Sequence, residues 1–294
     1  MSKTFAIIGC GRVGRTLARQ LTAAGYEPVG FASRSRQSAE KAASISGRPE
    51  NVYDDIAAAA KSAGLVFLTT PDHAIAPTCR TIADGRGFQK DAVVLHCSGA
   101  LSSDILKPAG ECGASVGSMH PLQSFAAVGE ENPFVGIKAA VEGDPAALAL
   151  AREVAGALGA DPISIRTEGK TLYHAAAVVA SNYLVTLMRL SFDLLEAAGV
   201  ESSETFDVLK PLINGTLTNI EGVGIPDALT GPIARGDVET VANHLSAIRE
   251  LSEEAADLYA RVGIATIEVA TAKGDISQDA ARELTELLNR GDKE

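Results

Sequence analysis

Tryptophan is absent from this 294-residue chain, aromatic residues reach only 4%, and there are just four cysteines. With so few bulky side chains a core must close by contact between small residues, and the abundant alanine with 28 glycines points to closely packed helices. The cysteines (Cys10, Cys79, Cys97 and Cys112) form no Cys-x-x-Cys pair and no metal-ligand spacing. That argues against a disulfide framework, predicts no bound metal, and fits reduced thiols in a cytoplasmic compartment. Basic residues are also in deficit: 26 Lys and Arg against 37 Asp and Glu give a formal net charge of −11. A broad nucleic-acid-binding face would stand against that field, so no nucleic-acid partner is expected, while a basic pocket for one phosphate stays open. No apolar run reads as membrane-spanning and no leader precedes the first strand, so no membrane partner is expected either.

What the chain does have is alternation. Short β-branched runs at 4–8, 28–32, 65–69, 92–96, 115–119, 137–141 and 162–165 are separated by Ala-rich helical stretches at 12–24, 38–46, 54–62 and 145–158. This pattern predicts a parallel sheet flanked by helices, with a short extra strand at 51–53. From Thr167 onward no strand is evident. Leu172, Ala176, Val179, Tyr183, Leu187, Leu190 and Leu194 recur at helical spacing and predict one long helix ending at Gly199. A second helix is predicted at 204–220, kinked at Pro211, a third at 241–262, and two shorter ones after it, the last capped by Ser277 and stopped at Gly291. The fold expected is therefore α/β, a doubly wound sheet over 1–166 followed by an all-α domain over 167–294.

Gly9-Cys10-Gly11-Arg12-Val13-Gly14 lies directly between the first strand and the first helix. Gly9 permits a tight turn, Gly11 lets backbone approach a pyrophosphate, and Gly14 lets helix and strand pack closely. The free N–H groups and positive end of the helix then receive the phosphates. Dinucleotide sites for NAD place an Asp or Glu at the end of the second strand; here Ser33-Arg34-Ser35-Arg36 stands there, with no acid before Glu40. A guanidinium and two hydroxyls suit a 2′-phosphate, which favours NADP. Thr70-Pro71 and Cys97, at the ends of two further strands, are expected beside the ribose and nicotinamide.

Groups able to act on a substrate collect at Ser98, at His120, at Lys170, His174 and Asn182 near the start of the long helix, and in the loop 229–237, where Arg235 could bind a carboxylate and Asp237 could cap a helix. Reducing a carbonyl or imine needs a positioned acid of near-neutral pKa, which ordinary histidine provides. Pro121 restricts His120 to an extended backbone just past a strand. His174 and Asn182 fall close to one face of a helix.

The stretches GCGRVG, HCSGAL, MHPLQSF, YHAAAVVASNYL and ALTGPIARGD, followed by His244, resemble the Rossmann-like proteins with a C-terminal DUF2520 domain, in the 6-phosphogluconate dehydrogenase-like superfamily. The resemblance implies a helical second domain of the 6-phosphogluconate dehydrogenase C-terminal type that builds a homodimer, a cleft between domains, and NAD(P)-dependent chemistry. Ser98 and His120-Pro121-Leu122 are similar to the Ser and His-Pro-Met that face substrate in prephenate dehydrogenases. Lys170 is similar to the lysine of β-hydroxyacid dehydrogenases, although His174 stands where they carry Asn. Ketopantoate reductases place a substrate loop near the position of Arg235. The expected activity is NADP(H)-dependent reduction of a small 2-oxo acid or imine, of the ketopantoate or pyrroline-carboxylate kind, with His120 and Ser98 as the chemical pair. Prephenate-like oxidative decarboxylation and a redox sensor that holds NADP without turnover are the alternatives.

Overall fold

A computed structural model describes residues 3–125 and 132–289. The chain divides into two compact units, Met1–Ser181 and Asn182–Glu294. In the first unit the order is β1 (Thr4–Ile8), α1 (Arg12–Ala23), β2 (Glu27–Ala32), α2 (Arg36–Ile45), α3 (Ile56–Ala60), β3 (Leu65–Leu68), α4 (Asp72–Asp84), β4 (Val93–His96), α5 (Lys107–Glu111), β5 (Ser115–Pro121), β6 (Lys138–Gly143), α6 (Pro145–Ala157), β7 (Asp161–Ser164) and α7 (Lys170–Val178). The seven strands form one sheet in the order β2-β1-β3-β4-β5-β6-β7.

Strict alternation along each strand fills both faces of the sheet. Phe5, Ile7, Leu65, Phe67, Val93 and Leu95 enter one core with Leu17, Leu21 and Val154. Ala6, Ile8, Val66, Leu68 and Val94 enter the other with Ile75, Ile82 and Leu106. A strand covered on both sides is apolar at every position, which is why these runs read as continuous hydrophobic segments. At Gly30 a Cβ would come within 1.9 Å of the Ala59 carbonyl, so β2 and α3 approach where only glycine fits.

Three features of the first unit depart from the sequence-based expectation. The strand expected at 51–53 is reduced to an isolated bridge between Phe31 and Val52. The sheet is not wholly parallel: β5 and β6 pair antiparallel, and β6 and β7 parallel. A parallel step needs a helical crossover, which α6 provides between β6 and β7, whereas no helix appears among the described residues between β5 and β6. Helix α4 was hidden in the sequence because Pro77, a helix breaker by type, lies inside it.

The second unit is helical, and no strand occurs among its described residues. It contains α8 (Leu184–Ala197), α9 (Thr205–Val223), α10 (Pro232–Arg235), α11 (Val238–Leu251), α12 (Glu253–Lys273) and α13 (Gln278–Asn289). A π-helical turn, Val179–Tyr183, joins α7 to α8. Helix α9 continues through Pro211. The single helix expected at 241–262 is two helices, because Ser252 adopts an extended backbone and its hydroxyl caps α12 by accepting from the Ala255 N–H at 3.2 Å. Helix α12 then runs on to Lys273, leaving one terminal helix rather than two. Ser277 caps α13 through the Ala280 N–H at 3.2 Å, while Gly291 lies outside the described residues. Ile233, Val241, Leu245, Ile248, Ile267 and Leu284 form this unit's core.

The expectation of no membrane-length apolar segment is corrected at Thr167–Ala197. This 31-residue helical stretch contains an 18-residue window of mean hydropathy 1.4, with none of that window buried, and is long and apolar enough to cross a membrane by length and composition alone. Its alanines raise the average without forming a continuous run of large apolar side chains, which is why the stretch escaped notice.

Candidate functional site

Gly9 leaves β1 at φ +103°, and a Cβ there would lie 2.7 Å from the Thr70 nitrogen. A Cβ on Gly14 would lie 2.3 Å from the Gly9 carbonyl oxygen, so both glycines are dictated by close backbone approach. Gly11 differs, with open space around the position of a Cβ. It is the N-cap of α1, with no side chain capping the helix and no acid in the first turn. The helix terminus thus keeps its unpaired N–H groups and positive potential for an anion. Arg12 is exposed at the same turn and Val13 packs on the core. Cys10 points inward, and burial pushes its thiol up to about 12, leaving only its backbone to face a ligand.

At the end of β2, Ser33 is half-buried and Ser35 begins α2 without capping it through its side chain. Arg36 is held by Glu40 at 3.1 Å and Asp54 at 2.5 Å. Arg34 is exposed and has no hydrogen-bond or ion-pair partner among the described residues. Past β3, Thr69 donates its hydroxyl to the Gly9 carbonyl, while Thr70 Oγ1 is buried without a partner next to exposed Pro71. An orphaned hydroxyl, a bare helix terminus and a free guanidinium at three adjacent strand ends fit a phosphorylated dinucleotide.

The turn after β4 is fixed by its own side chains. His96 is buried; its Nδ1 accepts from the Ser98 N–H and its Nε2 donates to the Ser102 carbonyl, both at 3.2 Å. Ser98 Oγ accepts from the N–H groups of Ala100 (3.2 Å) and Leu101 (3.1 Å) and donates to Asp72 Oδ2 at 2.9 Å. One donor and two acceptor sites are all a hydroxyl has, so Ser98 is fully engaged in shaping the turn. Burial lifts the neighbouring Cys97 thiol to about 12, which keeps it from acting as a thiolate nucleophile.

Against this turn lies His120, near the end of β5. A Cβ on Gly99 would come within 2.8 Å of His120 Nε2 and 2.7 Å of His174 Cδ2, so glycine alone lets both imidazoles close on the turn. The rings of His120 and His174 meet edge-on with centroids 6.3 Å apart. His120 Nδ1 is 2.9 Å from the hydroxyl of Tyr173, a residue the sequence reading passed over. Its only signal was its place beside His174, because the partner lies 53 residues away in the chain. The expectation of a near-neutral imidazole at His120 is corrected here. Burial, reinforced by the charge of Lys170, pushes it down to about 4, so the ring is neutral at physiological pH.

Lys170, the rival acid in the sequence, is only 1% exposed. Its Nζ reaches Ser118 Oγ and lies 3.6 Å from Glu142 Oε1. Glu142 also accepts from the Ser103 N–H (3.0 Å), Ser103 Oγ (2.7 Å), Ser118 Oγ (2.5 Å) and Thr167 Oγ1 (3.1 Å). Burial opposes its ionisation, but these hydroxyl bonds and the Lys170 charge hold its carboxyl below the usual range. Lys170 itself is lowered by burial, against the pull of Glu142. The structure thus gathers Ser98, His120, Lys170 and His174 in the first unit, with Lys170 engaged by Glu142 and Ser118. Asn182 and Arg235 are exposed residues of the second unit, where Asp237 caps α11 through the Thr240 N–H at 3.1 Å. No cluster of three or more His, Cys, Asp or Glu suited to a metal ion occurs among the described residues.

Residues 2–121 match the Rossmann-like domain family, and residues 137–266 match the domain of unknown function DUF2520. The chain is a Rossmann-like protein with a C-terminal DUF2520 domain. The DUF2520 match begins within the sheet, so Glu142, Lys170, Tyr173 and His174 belong to it, while Gly9, Arg34, Ser98 and His120 belong to the Rossmann-like part. Among solved structures, a Thermotoga maritima protein is 26% identical, with 92% of this chain and 99% of that one covered at a TM-score of 0.70. A Bacteroides fragilis protein provisionally assigned as an NADP oxidoreductase is 24% identical over 90% and 98% of the two chains, at 0.73. A reductive aminase from Aspergillus terreus, in complex with NADPH and ethyl-5-oxohexanoate, is 16% identical over 100% and 94%, at 0.63. No curated protein matches the chain.

Replacing Lys170 by Met should strand Glu142 as an uncompensated buried carboxylate. Urea denaturation is expected to show a loss of about 3–5 kcal/mol, partly recovered in the double variant Lys170→Met with Glu142→Gln. A loss under about 1 kcal/mol would show that the pair does not hold this region together.

Proposed function

We propose that this protein is an NADP(H)-dependent oxidoreductase that reduces a small 2-oxo acid or imine. The observation that carries the reading is the uncommitted Arg34 at the end of β2, where no carboxylate stands, beside the uncapped start of α1. Arg34 with Ser33 and Ser35 would hold the 2′-phosphate, the backbone of residues 9–14 the pyrophosphate, and Thr70, Pro71 and Cys97 the region of the ribose and nicotinamide. Bound there, the cofactor supplies hydride. His120, held at the end of β5 against the turn after β4, would give the proton that the reduced oxygen or nitrogen takes up. Ser98 would act by holding the turn against which His120 rests. An oxidative decarboxylase of the prephenate kind, which would use Ser98 directly toward substrate, is less well supported because that hydroxyl is fully engaged. The NADPH-bound reductive aminase of the same fold agrees with the imine branch of the reading.

We also infer a homodimer in the cytoplasm. None of α8 is buried, and Tyr183, Val185, Phe206, Leu212, Leu217 and Val223 are each more than half exposed. Faces this apolar rarely stay uncovered on soluble monomers, and a second copy covers them symmetrically without a membrane. The four unpaired cysteines suit a reducing compartment.

NADPH is expected to bind at least about tenfold more tightly than NADH, and Arg34→Ala should abolish the preference in fluorescence titrations. Equal affinities in the wild type would overturn the NADP assignment. In a screen of NADPH consumption against 2-oxo acids and cyclic imines, a turned-over substrate is expected. With it, His120→Asn should lower kcat by on the order of a hundredfold while NADPH affinity holds. Normal turnover by that variant would remove His120 from the chemistry. Light scattering at micromolar concentration should give a dimer mass, and a monomer would contradict the assembly.

A further inference from the structure

Reduction of a C=O or C=N bond leaves an oxygen or nitrogen that must take up one proton. A neutral imidazole carries a single N–H, and giving it away alone would leave an imidazolate, a much stronger base than any group around it. A second proton therefore has to arrive at one ring nitrogen as the first leaves the other. The surroundings of His120 hold one group placed to deliver it. Tyr173 Oη is 2.9 Å from Nδ1, the two rings meet edge-on at 85° with centroids 5.6 Å apart, and the phenol has no other hydrogen-bond partner among the described residues. Burial raises the Tyr173 phenol, so it is present as O–H and can donate to Nδ1 whenever that nitrogen is unprotonated. At the opposite corner of the ring, Nε2 lies against the turn at Gly99, whose missing Cβ is what lets the imidazole close on it.

The charged and titratable groups around His120 are Asp72 from α4, His96 from β4, and Lys170 and His174 from α7. Among the described bonds, His96 is taken up by Ser98 and Ser102, and Lys170 by Ser118 and Glu142, while Asp72 accepts from Ser98. None of these is hydrogen-bonded to a nitrogen of His120; Tyr173 is.

We propose that Tyr173 is the positioning residue of His120: its O–H donates to Nδ1, fixes the Nε2–H tautomer, and hands its proton to Nδ1 as Nε2–H protonates the reduced atom. The inference rests on His120 as the proton donor of the reading above. The step balances. The Nε2–H bond breaks as the substrate O–H or N–H forms, and the Tyr173 O–H bond breaks as Nδ1–H forms, leaving a neutral imidazole and a phenolate. After product leaves, Nδ1 returns its proton to the phenolate and Nε2 takes one from water. The charge left behind then rests on a phenolate and not on an imidazolate, the stronger base of the two.

The tautomer is read without cofactor or substrate, by long-range 1H–15N correlation on protein labelled with 15N-histidine at neutral pH. His120 is expected with a bare Nδ1 and a protonated Nε2, and Tyr173→Phe should convert this single form into a mixture. A wild-type proton on Nδ1, or an unchanged tautomer in Tyr173→Phe, overturns the proposal whatever the enzyme does. With a turned-over substrate, Tyr173→Phe should lower kcat by about tenfold with KM changed less than about twofold. The rate in H2O–D2O mixtures should change from a curved dependence, with two protons in flight, to a linear one. A linear dependence in the wild type overturns the relay, while an Nε2–H tautomer combined with an active His120→Asn overturns the functional reading and the relay together.

Discussion

Lys170 and Glu142 lie 3.6 Å apart with 1% and 2% of their surfaces exposed, and each reduces the cost of holding the other's charge out of water. Taking two ions out of water is costly, and the attraction between them offsets that cost only when every remaining lone pair and proton is matched. Here the carboxylate is surrounded by the hydroxyls of Ser103, Ser118 and Thr167, and Ser118 also accepts from the ammonium. The cluster ties the first residue of α7 to β5 and β6 and to the turn that follows β4. Because Tyr173 and His174 stand within one turn of Lys170, their distances to His120 depend on this anchor.

The same charge shapes the chemistry beside it. Lys170 adds to the effect of burial in keeping both His96 and His120 neutral. A neutral His96 can accept from Ser98 and donate to Ser102 at once, and so holds the turn through which Gly99 meets His120. A neutral His120 is a different reagent from the near-neutral acid that its residue type suggests. It can accept at one nitrogen and donate at the other, but it holds no spare proton of its own.

The cofactor half was the more legible in the sequence. GCGRVG states its requirement locally: a positive φ at Gly9, open space at Gly11, and contact between Gly14 and the Gly9 carbonyl all follow from residues within six positions. Arg34 was visible for the same reason, since the end of a strand can be counted from the glycines. What could not be read was which of Arg34 and Arg36 is free, because Arg36 is taken by Asp54, 18 residues further on. The helical half was legible in type but not in breaks. The Ser252 cap divides a stretch whose apolar spacing runs on without interruption, and Pro77 disguises a helix that tertiary packing completes.

By itself the sequence determined the alternation of strands and helices, the phosphate-binding turn, the missing acid at the end of β2, and the candidates Ser98, His120, Lys170 and His174. Those are features of local spacing, backbone freedom and residue chemistry. The tertiary structure alone decided how the candidates divide their work. It filled every bonding site of Ser98, buried Lys170 against Glu142, lowered His120 to about 4, and brought Tyr173 to its Nδ1. The physical reason is that burial and hydrogen-bond partnership are set by residues from distant strands and helices, and these fix the protonation and availability of a side chain whose identity the sequence already gives.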